Sequence, residues 1–374
     1  MARFLISCGG TGGHLSPGIA LAEGLAVRGH VATLLISRKK IDARLAEKYP
    51  HLKFERLPGS GFGWRPVTLA RCVTSQVHAF SRCVRLLRQQ PVDAVIGLGG
   101  FTSAPLVAAA RFSGVPAVLH EANRIPGLAV RTLGRFARRV YLPPGVTLRG
   151  IHPGAIRHAG LPVRAEIRRQ PATTARAALG LDPDRPVLLV LGGSQGASPL
   201  NEWTRTNVAA LAEAGIQVYC VTGPGKGQEG PVELRSAAGT PVRAVFESFS
   251  DRVALLMSAA DLAVSRAGAG TISELIRCET PAILVPFPQA ADDHQRANAL
   301  YLEQQGGCVV VPQTRLNELY ERTTALLANP ASLQAMRENL RSLDRVNPLE
   351  LILDDLDTIA GRGASGRTAN VALA

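Results

Sequence analysis

Residues 260–298 read ADLAVSRAGAGTISELIRCETPAILVPFPQAADDHQRAN. Leu262 to Val264 is a short apolar run bounded by turn residues, the pattern of a buried strand. It ends in Ser265-Arg266-Ala267-Gly268-Ala269-Gly270, a turn expected to admit only small residues. A helix is expected to start near Thr271 and to carry Glu274 in its first turn. A second apolar run, Ala282 to Val285, leads through Pro286 and Pro288 to the polar cluster Asp292-Asp293-His294-Gln295. A strand, a glycine turn and a helix start make an anion site, because backbone N–H groups and the positive end of the helix dipole face the turn. Thr271-x-x-Glu274 equally fits a capping box, in which Glu274 serves only its own helix. Asp292 or Asp293 fits an ordinary N-cap.

The same module recurs along the chain. Ala2 to Ser7 reads as a strand, Gly9-Gly10-Thr11-Gly12-Gly13-His14 as a loop, Pro17 to Val27 as a helix and Val31 to Ile36 as a second strand. The loop fails the dinucleotide fingerprint, since Leu15 stands at the third glycine position and no acid follows the second strand. Ser37-Arg38-Lys39-Lys40 there still suits a 2′-phosphate, which keeps an NADP oxidoreductase as an alternative. Val92 to Gly97 and Pro116 to Leu119 are further strands, ending in Gly99-Gly100-Phe101-Thr102-Ser103 and His120-Glu121-Ala122-Asn123. Polar residues at the carboxyl ends of parallel strands fall where α/β sheets bind ligands. Pro186 to Leu191 opens a second unit with Gly192-Gly193-Ser194-Gln195-Gly196-Ala197, and Gln217 to Val221 and Val242 to Phe246 continue it. Helices are expected near Leu316–Leu327 and over Pro330–Leu343.

The fold class is therefore α/β, with two successive doubly wound parallel-sheet domains. The chain's 374 residues suffice for both, and 46% hydrophobic against 19% charged residues argues for a substantial core. The domain boundary is placed in the turn-rich stretch from Pro143 to Pro162, giving domains 1–160 and 161–343. Residues 362–374 read as a loose tail. The six cysteines show no C-x-x-C spacing, hence neither a zinc pattern nor a disulfide framework, as in a reducing cytosol. No signal peptide and no apolar run near ~18 residues is present, so the protein is expected to be soluble or bound only to a membrane surface.

Charge is unevenly spread. Residues 1–160 hold 22 of the 42 basic and 6 of the 29 acidic side chains, a net of +16; the remaining 20 and 23 give −3. No nucleic-acid module accompanies this surplus, whereas an anionic membrane surface would use it. A helix is expected from about Val67 to Gln90, with Val73, Val77, Phe80, Val84 and Leu87 forming an apolar stripe read as core-facing. Arg82, Arg85 and Arg88 lie on this helix, Arg124 to Arg139 adds more arginines, and Phe62 and Trp64 are candidate interfacial anchors.

Taken together and in order, the glycine loops, His120-Glu-Ala-Asn123, Pro162-Val-Arg164, Ser265 through Glu274 and Asp293-His-Gln-x-x-Asn298 resemble the MurG family of N-acetylglucosaminyltransferases, within family 28 of the glycosyltransferases. The match spans about residues 3–345. The resemblance implies a GT-B fold, with two Rossmann-like domains facing across a cleft and a last helix, about 344–361, returning to the first domain. It implies inverting, metal-independent transfer of GlcNAc from UDP-GlcNAc to the 4-hydroxyl of lipid I, without a cofactor, at the cytoplasmic face of the bacterial inner membrane. The partners implied are UDP-GlcNAc, lipid I and an anionic membrane surface, with no nucleic acid. By motif position His14 is the candidate catalytic base. The substrate-binding set, for UDP-GlcNAc, is Thr11, Gly12, Gly13, Asn123, Arg164, Gly193, Ser194, Ser250, Ala269, Glu274, His294 and Gln295. Within it Glu274 would hold the ribose, Gly193 and Ser194 the diphosphate, His294 and Gln295 the GlcNAc hydroxyls, and the backbone at Phe249-Ser250 the uracil. Asn123, with His14, would face the acceptor, and Arg164 would lie near the nucleotide. The chain departs from the family at Ala122, commonly Gln, and at Leu161, commonly Asn, and its Pro286–Asp293 loop is one residue longer than in some members. Other readings are a UDP-sugar transferase with a different acceptor and a non-catalytic membrane-associated binding protein.

Overall fold

A computed structural model describes residues 1–9, 12–37, 43, 46–59, 66–193, 195–226 and 229–361. Thr11, Phe62, Trp64, Ser194, the basic run 38–40 and the tail 362–374 therefore lie outside the described residues. The chain forms two compact units: Met1–Arg164 with the residues from Asn347 onward, and Ala165–Val346.

The first unit is built on seven parallel strands: β1 (Arg3–Ser7), β2 (Val31–Ile36), β3 (Lys53–Arg56), β4 (Ala94–Gly97), β5 (Ala117–His120), β6 (Arg139–Leu142) and β7 (Ile156–His158). Their order is β3-β2-β1-β4-β5-β6-β7, and every pair is parallel. Side chains alternate across such a sheet. Phe4 and Ile6 of β1 accordingly join a core with Leu15, Ile19, Leu25, Ile352, Leu353 and Leu356 on one face. Leu5 joins Cys83, Leu86, Leu106, Leu119 and Val140 on the other. β7 lies inside the stretch expected to link the domains; its pairing with β6 makes it part of this sheet.

Helix Pro348–Ile359 belongs to this unit and is fixed by charge as well as packing. Arg28 pairs with Glu350, with Asp354 at 2.9 Å and with Asp357 at 2.7 Å. His30 Nε2 meets Asp357 at 2.7 Å, and Tyr141 Oη donates to Asp355 at 3.2 Å.

Helix Pro66–Gln89 forms as expected, but its apolar stripe does not all face the core. Ala79, Cys83, Leu86 and Leu87 are the buried positions, whereas Val73 and Val77 are 55% and 58% exposed. The 4-3-4-3 spacing gives a face without saying what covers it, and here the first half of that face is uncovered.

The second unit has strands β8 (Val187–Leu191), β9 (Gln217–Val221), β10 (Gly230–Arg235), β11 (Pro241–Glu247), β12 (Leu262–Ser265), β13 (Ala282–Leu284) and β14 (Cys308–Val310), in the order β10-β11-β9-β8-β12-β13-β14. All pairs are parallel except the β10–β11 hairpin at the edge. In each unit the strand order reverses once, between β1 and β4 and between β8 and β12. Ligands of open α/β sheets bind outside the carboxyl ends of strands at such a reversal.

His120 ends β5 fully enclosed, and its Nε2 donates to Gly160 O at 3.0 Å. Burial pushes this imidazole down to about 4, with the neighbouring His14 adding to the effect and the Gly160 bond opposing it. Between that value and the ordinary ~6.5 the unfolded chain binds the extra proton, so stability is lost as pH falls through this window, by on the order of 3 kcal/mol. Thermal melts from pH 7 to 4 should show that loss in the parent chain and a shallower one in His120→Gln.

Candidate active site

Two groups of loops stand at the strand reversals, one per unit. In the first unit helix Gly12–Val27 begins directly after β1, so His14 occupies its first turn. A Cβ placed on Gly99 would lie 3.1 Å from His14 Nε2, and one on Gly100 would lie 3.2 Å from His14 Nδ1. Both glycines have positive φ, 97° and 72°, which an L side chain would adopt only with strain. The two glycine loops, some 85 residues apart, thus meet around one half-buried imidazole. Thr102 Oγ1 donates to Gly9 O at 3.0 Å and ties the same loops together. Asn123 follows β5, with its backbone N–H and its Nδ2 both directed to Glu121.

Arg164, the last residue of this unit's first segment, is 7% exposed, and its Nη1 donates to Tyr49 Oη at 2.7 Å. The departure at Leu161 puts an apolar side chain into a buried position.

In the second unit the carboxyl ends of β9, β8, β12 and β13 lie side by side. The turn after β8 is forced to be small. A Cβ on Gly196 would stand 2.0 Å from Thr222 O, so the β9 turn presses directly on it. From that β9 turn Lys226 reaches back, its Nζ donating to Gly196 O at 3.1 Å, while Arg205 holds Lys226 O at 2.7 Å. Gly193, with φ 76°, stands in the same turn, ahead of helix Ser198–Glu213. Ser250 follows β11, is 8% exposed, and accepts from Arg252 N at 3.3 Å.

Helix Ala269–Arg277 starts two residues earlier than expected, with Gly268 as its N-cap. Thr271 is therefore the third helical residue and Glu274 lies in the second turn. A capping box requires the Thr at the N-cap itself, so that reading of Glu274 is ruled out. A Cβ on Gly268 would meet nothing within 4 Å, so the steric demand expected of this turn does not fall there. Ala269, the first helical residue, presents its N–H at the positive end of the dipole.

The β13 loop is locked from below. Arg266, 7% exposed, donates from Nη1 to Val285 O and Pro286 O at 3.1 and 3.3 Å and from Nη2 to Gln313 Oε1 at 2.6 Å. Burial lowers its guanidinium from the ordinary arginine value. Gln295 Oε1 accepts from Phe287 N at 3.0 Å, and His294 Nδ1 donates to Ala291 O at 2.7 Å. Asn298 Nδ2 reaches Ala267 O at 3.3 Å, joining helix His294–Gln304 to the β12 turn. Asp293 is the N-cap residue of that helix but makes no capping bond. Lys226 and Arg266, which hold these turns, escape a reading of the sequence, because each acquires its place from a contact far along the chain.

The sequence matches the glycosyltransferase family 28 N-terminal domain over residues 4–142 and the family 28 C-terminal domain over residues 187–348. The chain belongs to glycosyltransferase family 28. Within this family it is 58% identical, over 98% of its length and 97% of the relative's, to the UDP-N-acetylglucosamine--N-acetylmuramyl-(pentapeptide) pyrophosphoryl-undecaprenol N-acetylglucosamine transferase of Opitutus terrae. It is 39% identical to the protein of the same description from Parasynechococcus marenigrum, over 92% of this chain and 95% of that one. Among solved structures, Acinetobacter baumannii MurG superposes with a TM-score of 0.70 at 25% identity, covering 96% of this chain and all of that one. A calicheamicin glycosyltransferase, at 18% identity and a TM-score of 0.68 over 97% of this chain and 99% of that one, shares the GT-B fold. Family 28 membership displaces the NADP oxidoreductase alternative.

With Gly268 as the N-cap, the capping-box role of Glu274 is excluded, and its replacement separates a ligand role from a local one. With Glu274 as a ribose-holding group, Glu274→Gln should raise the donor KM by the equivalent of ~1–3 kcal/mol of charged hydrogen bonding; a group serving only the fold would lower the melting temperature and leave that KM unchanged. Donor kinetics and melts on one preparation check this.

Proposed function

We propose that the chain transfers N-acetylglucosamine from UDP-GlcNAc to the muramoyl 4-hydroxyl of lipid I, forming lipid II for peptidoglycan synthesis with inversion at the anomeric carbon. The observation that carries this reading is the 58% identity over nearly the whole chain to the Opitutus terrae transferase. In this reading the second unit's turns hold the donor: Gly193, Ser194 and the N–H of Ala269 at the diphosphate, Glu274 at the ribose, Ser250 at the uracil, and His294 and Gln295 at the sugar. His14 and Asn123 serve the acceptor side, Thr11, Gly12 and Gly13 contribute to UDP-GlcNAc binding, and Arg164 lies near the nucleotide.

The chemistry is a single displacement. The acceptor hydroxyl oxygen forms a bond to the anomeric carbon as the bond from that carbon to the diphosphate oxygen breaks. The electron pair leaves with UDP and the hydroxyl proton passes to His14. N–H donors aimed at a developing phosphate charge are preorganised and need no rearrangement during the reaction. UDP release from UDP-GlcNAc, measured with and without a lipid I analogue, tests the assignment. Release should depend on the analogue, and His14→Ala should lower kcat about 10²-fold or more with little change in UDP affinity. Near-normal turnover in that variant removes His14 as the base.

Peripheral attachment at the cytoplasmic face of the bacterial inner membrane belongs to the same reading. Among the described residues no helix is long and apolar enough to cross a membrane. Val73 and Val77 are exposed, and Phe80 stacks edge-on with Phe112, itself 67% exposed, at 6.2 Å. Arg82, Arg85 and Arg88 are exposed on the same helix. Such a mixture suits a lipid surface, where each basic residue contributes roughly 1 kcal/mol and apolar side chains enter the interface. Replacing Arg82, Arg85 and Arg88 together should weaken binding to anionic vesicles and flatten its salt dependence, with UDP-GlcNAc affinity intact. Unchanged vesicle binding across the salt range would move the membrane face elsewhere.

A further inference from the structure

One carboxylate in the first unit is committed to neither core packing nor an ion pair with a neighbouring arginine, but to the backbone of a loop. Glu121 directly follows β5 and is 6% exposed. Its own N–H donates to Tyr141 O at 2.9 Å, which extends the sheet by one bond and fixes the root of the side chain. One carboxylate oxygen, Oε1, accepts from Asn123 N at 2.8 Å and from Asn123 Nδ2 at 3.1 Å. The other, Oε2, accepts from Gly127 N at 2.6 Å. Gly127 is the N-cap of helix Leu128–Leu133, so a single side chain closes the loop from the strand end to the helix start.

We propose that Glu121 is a positioning residue for the acceptor, acting through Asn123. The inference rests on the reading that Asn123 meets the acceptor. An ionised carboxylate only accepts hydrogen bonds. The amide of Asn123 must therefore turn its Nδ2 toward Glu121, which fixes which way Oδ1 faces. A hydroxyl or N–H of the acceptor meeting this amide would donate to Oδ1. Both carboxylate oxygens are engaged by N–H groups at opposite ends of the loop, so the group works as a clamp and its loss frees both ends together. Glutamine in its place has one accepting oxygen and one donating nitrogen, and the nitrogen would confront an N–H at one end.

The test is steady-state kinetics on the full chain with UDP-GlcNAc and a lipid I analogue, comparing Glu121→Gln, Asn123→Ala and the double variant. The acceptor KM should rise about tenfold in Glu121→Gln, with donor KM and UDP affinity unchanged. The double variant should be no worse than Asn123→Ala alone, because residues that act as one unit are not additive. Glu121→Asp keeps the charge and replaces Glu121→Gln in the comparison if that variant melts below the assay temperature. Independent, multiplying effects of the two single variants would overturn the proposal. So would a rise in donor KM equal to that for the acceptor, or a large fall in kcat with acceptor KM unchanged, which would make Glu121 a proton-transfer group. Unaltered acceptor kinetics in Asn123→Ala would overturn the reading of Asn123 itself. An effect there with a silent Glu121→Gln would overturn only the role of Glu121.

Discussion

Parallel pairing is the constraint on which the rest depends. A strand that pairs parallel with its neighbour must be followed by a crossover before the next begins, so the carboxyl ends gather on one edge of the sheet. Where the order reverses, successive crossovers go to opposite faces and the turns at their starts diverge. Here those reversals fall at β1/β4 and β8/β12. The glycine loops stand there because backbone must approach closely: Gly196 against Thr222 O, and Gly99 and Gly100 against the His14 ring. The only antiparallel pairing among the described strands, β10–β11, is confined to an edge where it leaves the reversal untouched.

How much of this was legible follows from what kind of signal each part carries. Val31–Ile36, Gln217–Val221 and the helix Pro330–Leu343 read from sequence with their observed ends, since apolar runs and Gly or Pro punctuation are local. β3, β6, β7 and β14 were missed; each is only three or four residues long. β10 was missed although Val232 and Leu234 alternate with Glu233 and Arg235 as a half-buried strand should. The helical stripe at Val73 and Val77 had the right period and the wrong environment, because periodicity cannot name the neighbour. Motif spacing singles out His14, Glu274 and His294 as candidates, but not the work of Arg266 or Lys226 in holding the turns. Arg266 contacts a carbonyl 19 residues on and Lys226 one 30 residues back, and nothing in the local sequence announces either.

Charge shows the same limit. The surplus counted over residues 1–160 omits Glu350, Asp354, Asp355 and Asp357, which the chain's last described helix brings to the same unit. Arg28, Arg139 and Arg157 meet those acids. Their charge is thus locally offset and serves to hold the helix. The exposed arginines on Pro66–Gln89 lie on another element, so the positive field available to a partner is narrower than the count suggests.

The loop after β13 shows how strain and anchoring are balanced. Asp292 and Asp293 both sit in the left-handed region, with φ of 51° and 53°. For non-glycine residues this costs about 1–2 kcal/mol each, and such strain persists only where the surroundings over-determine it. The surroundings are on hand: the Arg266 bonds beneath Val285 and Pro286, Gln295 on Phe287 N, His294 on Ala291 O and Asn298 on Ala267 O. Two left-handed residues in succession turn the chain sharply into the helix that starts at His294. The side chains of His294 and Gln295 each spend one polar atom on holding that turn, and what remains of each, Nε2 in both cases, is held in a set direction. The placement of both side chains therefore depends on the turn as a unit, to which the two strained aspartates contribute.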